Sequence, residues 1–117
     1  AVGALDYAKD RIKLVFCEGD SVDGSWERLQ QAVAPLTRIY RDVILLQKQT
    51  GLRLDRMKRA KRGLQRMRRG AIAKVRNHLI DHGLDASDDW ALWVDIDVWR
   101  FPRDILSRLM ERGNRIV

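Results

Sequence analysis

Asp95 and Asp97 stand two residues apart at the end of an apolar, tryptophan-rich run, Trp90-Ala91-Leu92-Trp93-Val94. On extended backbone such residues face the same side of a strand with Cβ atoms about 7 Å apart, so both carboxylates would look into one site. Hard divalent cations such as Mg²⁺ or Mn²⁺ take carboxylate oxygens together with phosphate oxygens, and a pair of this kind suits a metal-bound diphosphate. The spacing alone says little, because 13 Asp in 117 residues give about one Asp-x-Asp pair by chance. Context supplies the weight. Two carboxylates beside an apolar strand repel each other and resist desolvation unless a cation neutralises them or they sit in a solvated surface turn. A second acidic group, Glu18-Gly19-Asp20-Ser21-Val22-Asp23-Gly24-Ser25, also follows an apolar run.

Other side chains have a plainer reading. His78 and His82 are four apart, a spacing that can chelate a metal, although histidines near the end of a helix commonly complement its dipole. Trp93 reads as core packing, whereas Trp99, beyond the acidic pair, is the better candidate for a ligand contact. With a single cysteine, Cys17, no internal disulfide and no cysteine-based zinc site can form. It reads as a small buried hydrophobe.

The charge is unevenly spread. The chain carries 23 Lys plus Arg against 16 Asp plus Glu, a formal charge of +7. Fourteen of the basic residues and only two acids lie between Arg38 and Arg76, so this segment holds +12 and the remainder −5. Such asymmetry points to an anionic partner or to a solvated helix face. At 45% hydrophobic residues the chain can build a core despite 33% charged residues, which excludes a disordered tail. Its length limits it to one domain. No apolar run approaches the ~20 residues that span a bilayer. The start, Ala1-Val2-Gly3-Ala4-Leu5-Asp6, lacks the basic region of a signal peptide and reads as a cut end.

The elements that must position these residues follow from apolar periodicity. Arg11 to Glu18 reads as a strand apolar on both faces, and Asp42 to Gln47 as a second. Between them Trp26, Leu29 and Val33 recur at helical spacing, with Pro35 expected to stop that helix near Ala34. Leu64, Met67, Ala71, Ile72, Val75 and Leu79 mark a helix face ending at Gly83. Trp90 to Asp95 is expected to be a third strand, Phe101-Pro102-Arg103-Asp104 to open a helix closed by Gly113, and Arg115-Ile116-Val117 to begin a fourth strand. This alternation predicts an α/β fold with a parallel sheet, whose ligands bind beyond the carboxyl ends of the strands. Both acidic groups fall at such ends.

The segment Arg69-Gly70-Ala71-Ile72-Ala73-Lys74-Val75-Arg76-Asn77-His78-Leu79-Ile80, a short acidic loop, Trp90-Ala91-Leu92-Trp93-Val94-Asp95-Ile96-Asp97-Val98, then Pro102 and Ile105, resembles the GT-A-fold glycosyltransferases. Within them it is most similar to the mannan-polymerase-type mannosyltransferases of the fungal Golgi and their relatives. The resemblance runs from about Ile12 to Val117, and its most specific part is the Ala-x-x-Arg-Asn helix followed by Trp-x-Leu-Trp-x-Asp-x-Asp. It implies a GT-A, Rossmann-like parallel sheet flanked by helices, with residues 1–117 forming one partial donor-binding domain that lacks its first strand and acceptor-side half. It also implies a nucleotide-sugar donor, GDP-mannose, a glycan or other acceptor, and Mn²⁺ (or Mg²⁺) bridging the diphosphate. By the same resemblance Asp97 would bind the metal directly and Asp95 would face the metal shell or the ribose. Glu18, Asp20 and Asp23 would belong to the turn that holds the nucleoside, and Arg76 and Asn77 would lie near the nucleotide. Many relatives carry two adjacent acids where this chain has Glu18-Gly19. No residue matches a catalytic base. Of the two compartments the resemblance allows, the cytoplasm of a prokaryotic or viral relative is preferred to the Golgi lumen of a fungal family member.

Two other readings compete. A basic nucleic-acid-binding module would use Arg53 to Arg76 as a phosphate-tracking face, but acids at the strand ends would repel phosphate, which makes a nucleic-acid partner the weaker choice. Alternatively the chain keeps the fold as a noncatalytic remnant or partner subunit. Basic residues beyond those one diphosphate can use would be solvated or would meet an anionic acceptor or membrane surface.

Overall fold

The computed structural model describes residues 1–51 and 62–113. The basic residues Arg53, Arg56, Lys58, Arg59 and Lys61, and the strand expected at 115–117, lie outside the described residues. The chain folds as an α/β unit with the order β1 (Lys13–Glu18), α1 (Ser25–Thr37), β2 (Asp42–Gln47), α2 (Arg62–Gly83) and α3 (Ile105–Glu111), preceded by two short 3₁₀ turns. β1 and β2 pair in parallel from Lys13 opposite Asp42 to Glu18 opposite Gln47. A parallel pair needs a crossover, and α1 supplies it.

Local sequence accounts for these elements. The β-branched and aromatic residues of Lys13-Leu14-Val15-Phe16-Cys17 suit a pleated, half-buried surface, and all five are half-buried. α1 continues to Thr37 with Pro35 inside it, three residues beyond the expected stop at Ala34. In the last turn the missing proline N–H removes a single helical bond, and the end is closed by Tyr40 N–H on Leu36 C=O, 3.0 Å.

The expected third strand does not form. Residues 90–95 run irregularly and are exposed throughout, with Trp90 51% and Trp93 48% accessible. The composition favours a strand, but a strand also needs a neighbour for its N–H and C=O groups, and among the described residues only β1 and β2 pair. The parallel sheet expected from the sequence is therefore a two-stranded one among the described residues. Pro102 precedes α3 rather than lying in its first turn.

Packing is set by α2 lying across the sheet. A Cβ placed on Gly83 would come within 2.7 Å of a Val15 methyl, and one on Gly19 within 3.1 Å of a Val75 methyl and 3.3 Å of the Lys48 carbonyl. α2 therefore runs against the strand direction, touching the middle of β1 with its last residue and the carboxyl end of β1 at Val75. At the opposite edge Lys13 Nζ, with only 6% of its side chain accessible, is ion-paired with Asp88 and with Asp85 at 3.1 Å, and Arg41 reaches Asp88 at 2.5 Å. Burial would push the Lys13 ammonium down, but the bonds and charges of Asp88 and Asp85 outweigh it and hold it above the usual lysine range. Leu5 and Tyr40 are the buried hydrophobic residues among those described. No helix among the described residues is long and apolar enough to cross a membrane.

The Gly83 contact gives a direct test. Gly83→Ala should destabilise the fold by about 1–3 kcal/mol, the usual scale of overpacking against a branched side chain, read as a lower urea midpoint. An unchanged midpoint would show that α2 does not bear on β1 there.

Candidate functional site

Acids and amides gather at the carboxyl ends of β1 and β2. Glu18 is the last residue of β1 and 7% exposed. Its carboxylate accepts from the Ser21 backbone N–H at 2.7 Å, from the Ser21 hydroxyl, and from Gln47 Nε2 at 3.0 Å. Gln47 is its register partner on β2, so the strand pairing itself delivers this contact. Burial pushes the Glu18 carboxyl up, but the three hydrogen bonds together exceed it and hold the group below the ordinary glutamate range.

Asp20 adopts a left-handed backbone, φ +54°. This conformation is uncommon outside glycine and tolerated by Asp. Its carboxylate takes the Thr50 N–H at 2.9 Å, the Thr50 hydroxyl, and the Gly51 N–H at 3.3 Å. These contacts tie the turn after β1 to the segment after β2. The two acids, with Ser21, Gln47, Gln49 and Gly51, line a cleft of about 150 Å³. Asp23 lies outside it and closes the entry to α1 by accepting from the Ser25 hydroxyl and N–H, which lower its pKa.

The second acidic group has a different shape from the one expected. Val98 N–H bonds to the Asp95 carbonyl at 3.0 Å, so Asp95-Ile96-Asp97-Val98 is a tight turn and not the end of an extended strand. The same-face argument from strand geometry therefore does not apply, and both acids are exposed. Asp95 meets Arg76 at 3.4 Å. Behind the turn lies a cleft of about 260 Å³ lined chiefly by Leu92, Trp93, Val94, Val98, Phe101 and Ile105, with Arg76 and Asp95 also on its wall. Asn77, one helical step of about 100° from Arg76, is exposed and does not join this cluster.

One turn of α2 links the two groups. Val75 touches Gly19, between Glu18 and Asp20, while its neighbour Arg76 pairs with Asp95. Arg68 lies on the same stripe of the helix as Ala71 and Val75 but about 10 Å nearer its amino end, beyond the carboxyl edge of the sheet, and it is exposed. A cation placed here would find hard oxygen donors of the right type in Asp95 and Asp97. Among the described residues no third His, Cys, Asp or Glu converges on them. Six-coordinate Mg²⁺ or Mn²⁺ would need its remaining ligands from phosphate and water, which is how such ions meet nucleotides. The donor set fits in that sense.

Sequence reasoning missed Ser21, Gln47 and Thr50 as partners of the acids. The single signal for Gln47 is its polar type after the apolar run Val43-Ile44-Leu45-Leu46.

Glu18 carries a pH prediction. Its folded pKa lies below its unfolded value, so its stabilisation is present above the unfolded pKa of about 4.3 and is lost as pH falls through the folded pKa. Glu18→Gln should lower the urea midpoint at about pH 7, and the gap to wild type should narrow as pH is taken toward about 3. A gap that stays constant with pH would show that the ionised carboxylate is not the stabilising form.

The Anp1 family matches residues 1–117. Among curated proteins the chain is 30% identical over 122 residues to the mannan polymerase complex subunit mnn9 of Schizosaccharomyces pombe, covering 97% of this chain and 36% of that protein. It is 26% identical over 121 residues to the mannan polymerase II complex anp1 subunit of the same yeast, covering 97% of this chain and 28% of that protein. The chain thus spans about a third of the length of these relatives. No solved structure matches it.

Proposed function

The chain belongs to the Anp1 family, and from that premise we propose that it is the donor-binding part of a metal-dependent mannosyltransferase of the mannan polymerase type. In this reading it forms part of a GT-A domain that takes GDP-mannose and serves transfer of mannose to a glycan acceptor. The observation that carries the proposal is the junction at α2, where adjacent residues touch the two acidic groups. The relatives are named as subunits of complexes, and this chain is proposed to act with partner proteins as well. Both relatives are fungal, which favours the Golgi lumen; the cytoplasm, preferred from the sequence, finds no support in them.

In this site the cleft around Glu18 and Asp20 would take the nucleoside, since fixed carboxylate acceptors suit the N–H edge of a base or the hydroxyls of a ribose. Glu18 is held ionised by its hydrogen bonds and would present a charged acceptor without reorganising. The diphosphate would lie across α2 toward the turn at 95–98. Asp97, exposed, would hold a divalent cation directly, and Asp95 would contribute once Arg76 turned from it to a phosphate oxygen. The cation would supply charge neutralisation to the leaving diphosphate as the bond to the sugar breaks. Arg76 and the overhanging Arg68 would share that duty as permanently charged, bidentate donors. No residue of the chain is placed as a catalytic base, and the chain by itself is expected to bind donor weakly without transferring sugar.

Titration calorimetry with GDP tests this reading. Binding should require Mn²⁺, and Asp97→Ala should weaken it by about 10-fold or more, the scale on which groups around a metal act. Equal GDP binding in the presence of EDTA, or an unchanged affinity in Asp97→Ala, would overturn it. Tight RNA binding with steep salt dependence in place of GDP binding would favour the nucleic-acid reading.

A further inference from the structure

His78 and His82 occupy one face of the last two turns of α2, four residues apart, with ring centroids 4.3 Å apart and planes tilted by 58°. Positions i and i+4 are neighbours on a helix surface, and the same pair spacing serves zinc in helical metal motifs. The tilt shows that the rings are not stacked face to face, so neither ring face blocks the other from turning an edge nitrogen toward a shared ion. Two imidazoles on one tetrahedral ion hold their nitrogens about 3.3 Å and their ring centres about 5 Å apart, so chelation needs these rings to open by about 1 Å, a rotation open to the exposed His82 side chain. Complementing the helix dipole accounts for His82, which lies in the last turn. It does not account for His78 lying against it, since two imidazolium rings in contact would repel.

The surroundings favour the neutral imidazole, which is the form that ligates a metal. Burial, the neighbouring His82 and Lys48 all push the His78 pKa down, and Asp81 offsets them only in part. His82 is exposed and His78 half-buried, which leaves the pair open to solvent on one side. Both rings stand on a regular helix packed against the sheet, so the site is largely preorganised.

We propose that His78 and His82 chelate one borderline-soft divalent transition metal, of the Zn²⁺, Ni²⁺ or Cu²⁺ class, with water completing the shell. Imidazole selects these ions over Mg²⁺ and Mn²⁺, whereas carboxylates favour the latter. The site is thus distinct in chemistry and position from Asp95 and Asp97, and it does not depend on the donor reading. Among the described residues no group of three metal-ligating side chains forms, which sets this apart from a closed structural zinc site.

The test uses the whole chain titrated with Zn²⁺, followed by calorimetry and by ¹⁵N shifts of the histidine side chains. The expected result is one ion per chain, with both imidazoles shifting together in a single step. His82→Gln and His78→Gln should each weaken binding by about tenfold or more, the loss expected when a two-point attachment becomes a one-point attachment. Asp95→Asn with Asp97→Asn should bind Zn²⁺ as wild type does. His82 is exposed, so His82→Gln remains folded even if the half-buried His78 is less tolerant. A response of only one histidine, wild-type affinity in His82→Gln, or loss of Zn²⁺ binding in the Asp95/Asp97 variant would overturn the proposal.

Discussion

The close approach of α2 to β1 is the constraint on which the other features depend. Gly83 admits the Val15 methyls and Gly19 admits Val75, so a side chain at Gly83 would force a shift and one at Gly19 would crowd Val75 and the Lys48 carbonyl. With those two contacts fixed, the helical period decides where every other residue of α2 points. Val75 is held against the turn after β1, Arg76 is turned toward the 95–98 turn, and Asn77 is turned away from it. The helix also overshoots the carboxyl edge of the sheet and carries Arg68 out over it.

Both edges of the small sheet use charge, in opposite ways. At the amino edge the nearly inaccessible Lys13 is neutralised by Asp88 and Asp85, with Arg41 sharing Asp88. Broken on one side, a pair like this leaves an uncompensated buried charge, so it fixes the strand starts and the loop after α2 in place. At the carboxyl edge Glu18 accepts from neutral donors, the Ser21 N–H and hydroxyl and the Gln47 amide, and Asp20 accepts from Thr50 and Gly51. For Glu18 these donors favour the ionised carboxylate without cancelling its charge. The amino edge thus sets opposite charges against one another, whereas at the carboxyl edge Glu18 is held by neutral groups.

Much of the scaffold was legible from residue types. Asp42–Gln47 and the Gly83 helix end match the expected positions, and β1 begins two residues later than expected. These elements carry their own periodicity and punctuation. The segment at 90–95 has equal local preference for a strand, but preference cannot provide a neighbour, and it stays irregular and exposed. The same gap altered the acidic pair: a strand end would have aimed Asp95 and Asp97 together, whereas the turn closed by Val98 sets them by its own geometry. Glu18, Asp20 and Asp95 were identifiable as candidates, but Gln47, Thr50 and the Arg76 contact depend on strand register and helix azimuth across 29, 30 and 19 residues of separation. Asp23, grouped with them by sequence, lies outside their cleft and accepts from Ser25 at the start of α1.

In the function proposed above, one nucleotide bridges the Glu18–Asp20 cleft and the Asp95–Asp97 turn across α2. Paramagnetic broadening of backbone amides by Mn²⁺ in the presence of GDP addresses it most directly. Broadening should centre on residues 95–98 and weaken toward residues 18–21 and 47–51, with GDP-induced shifts in the latter two segments and both effects absent without the nucleotide. Broadening centred on His78 and His82, or GDP shifts confined to the arginines of α2 with the Glu18 cleft unmoved, would contradict it.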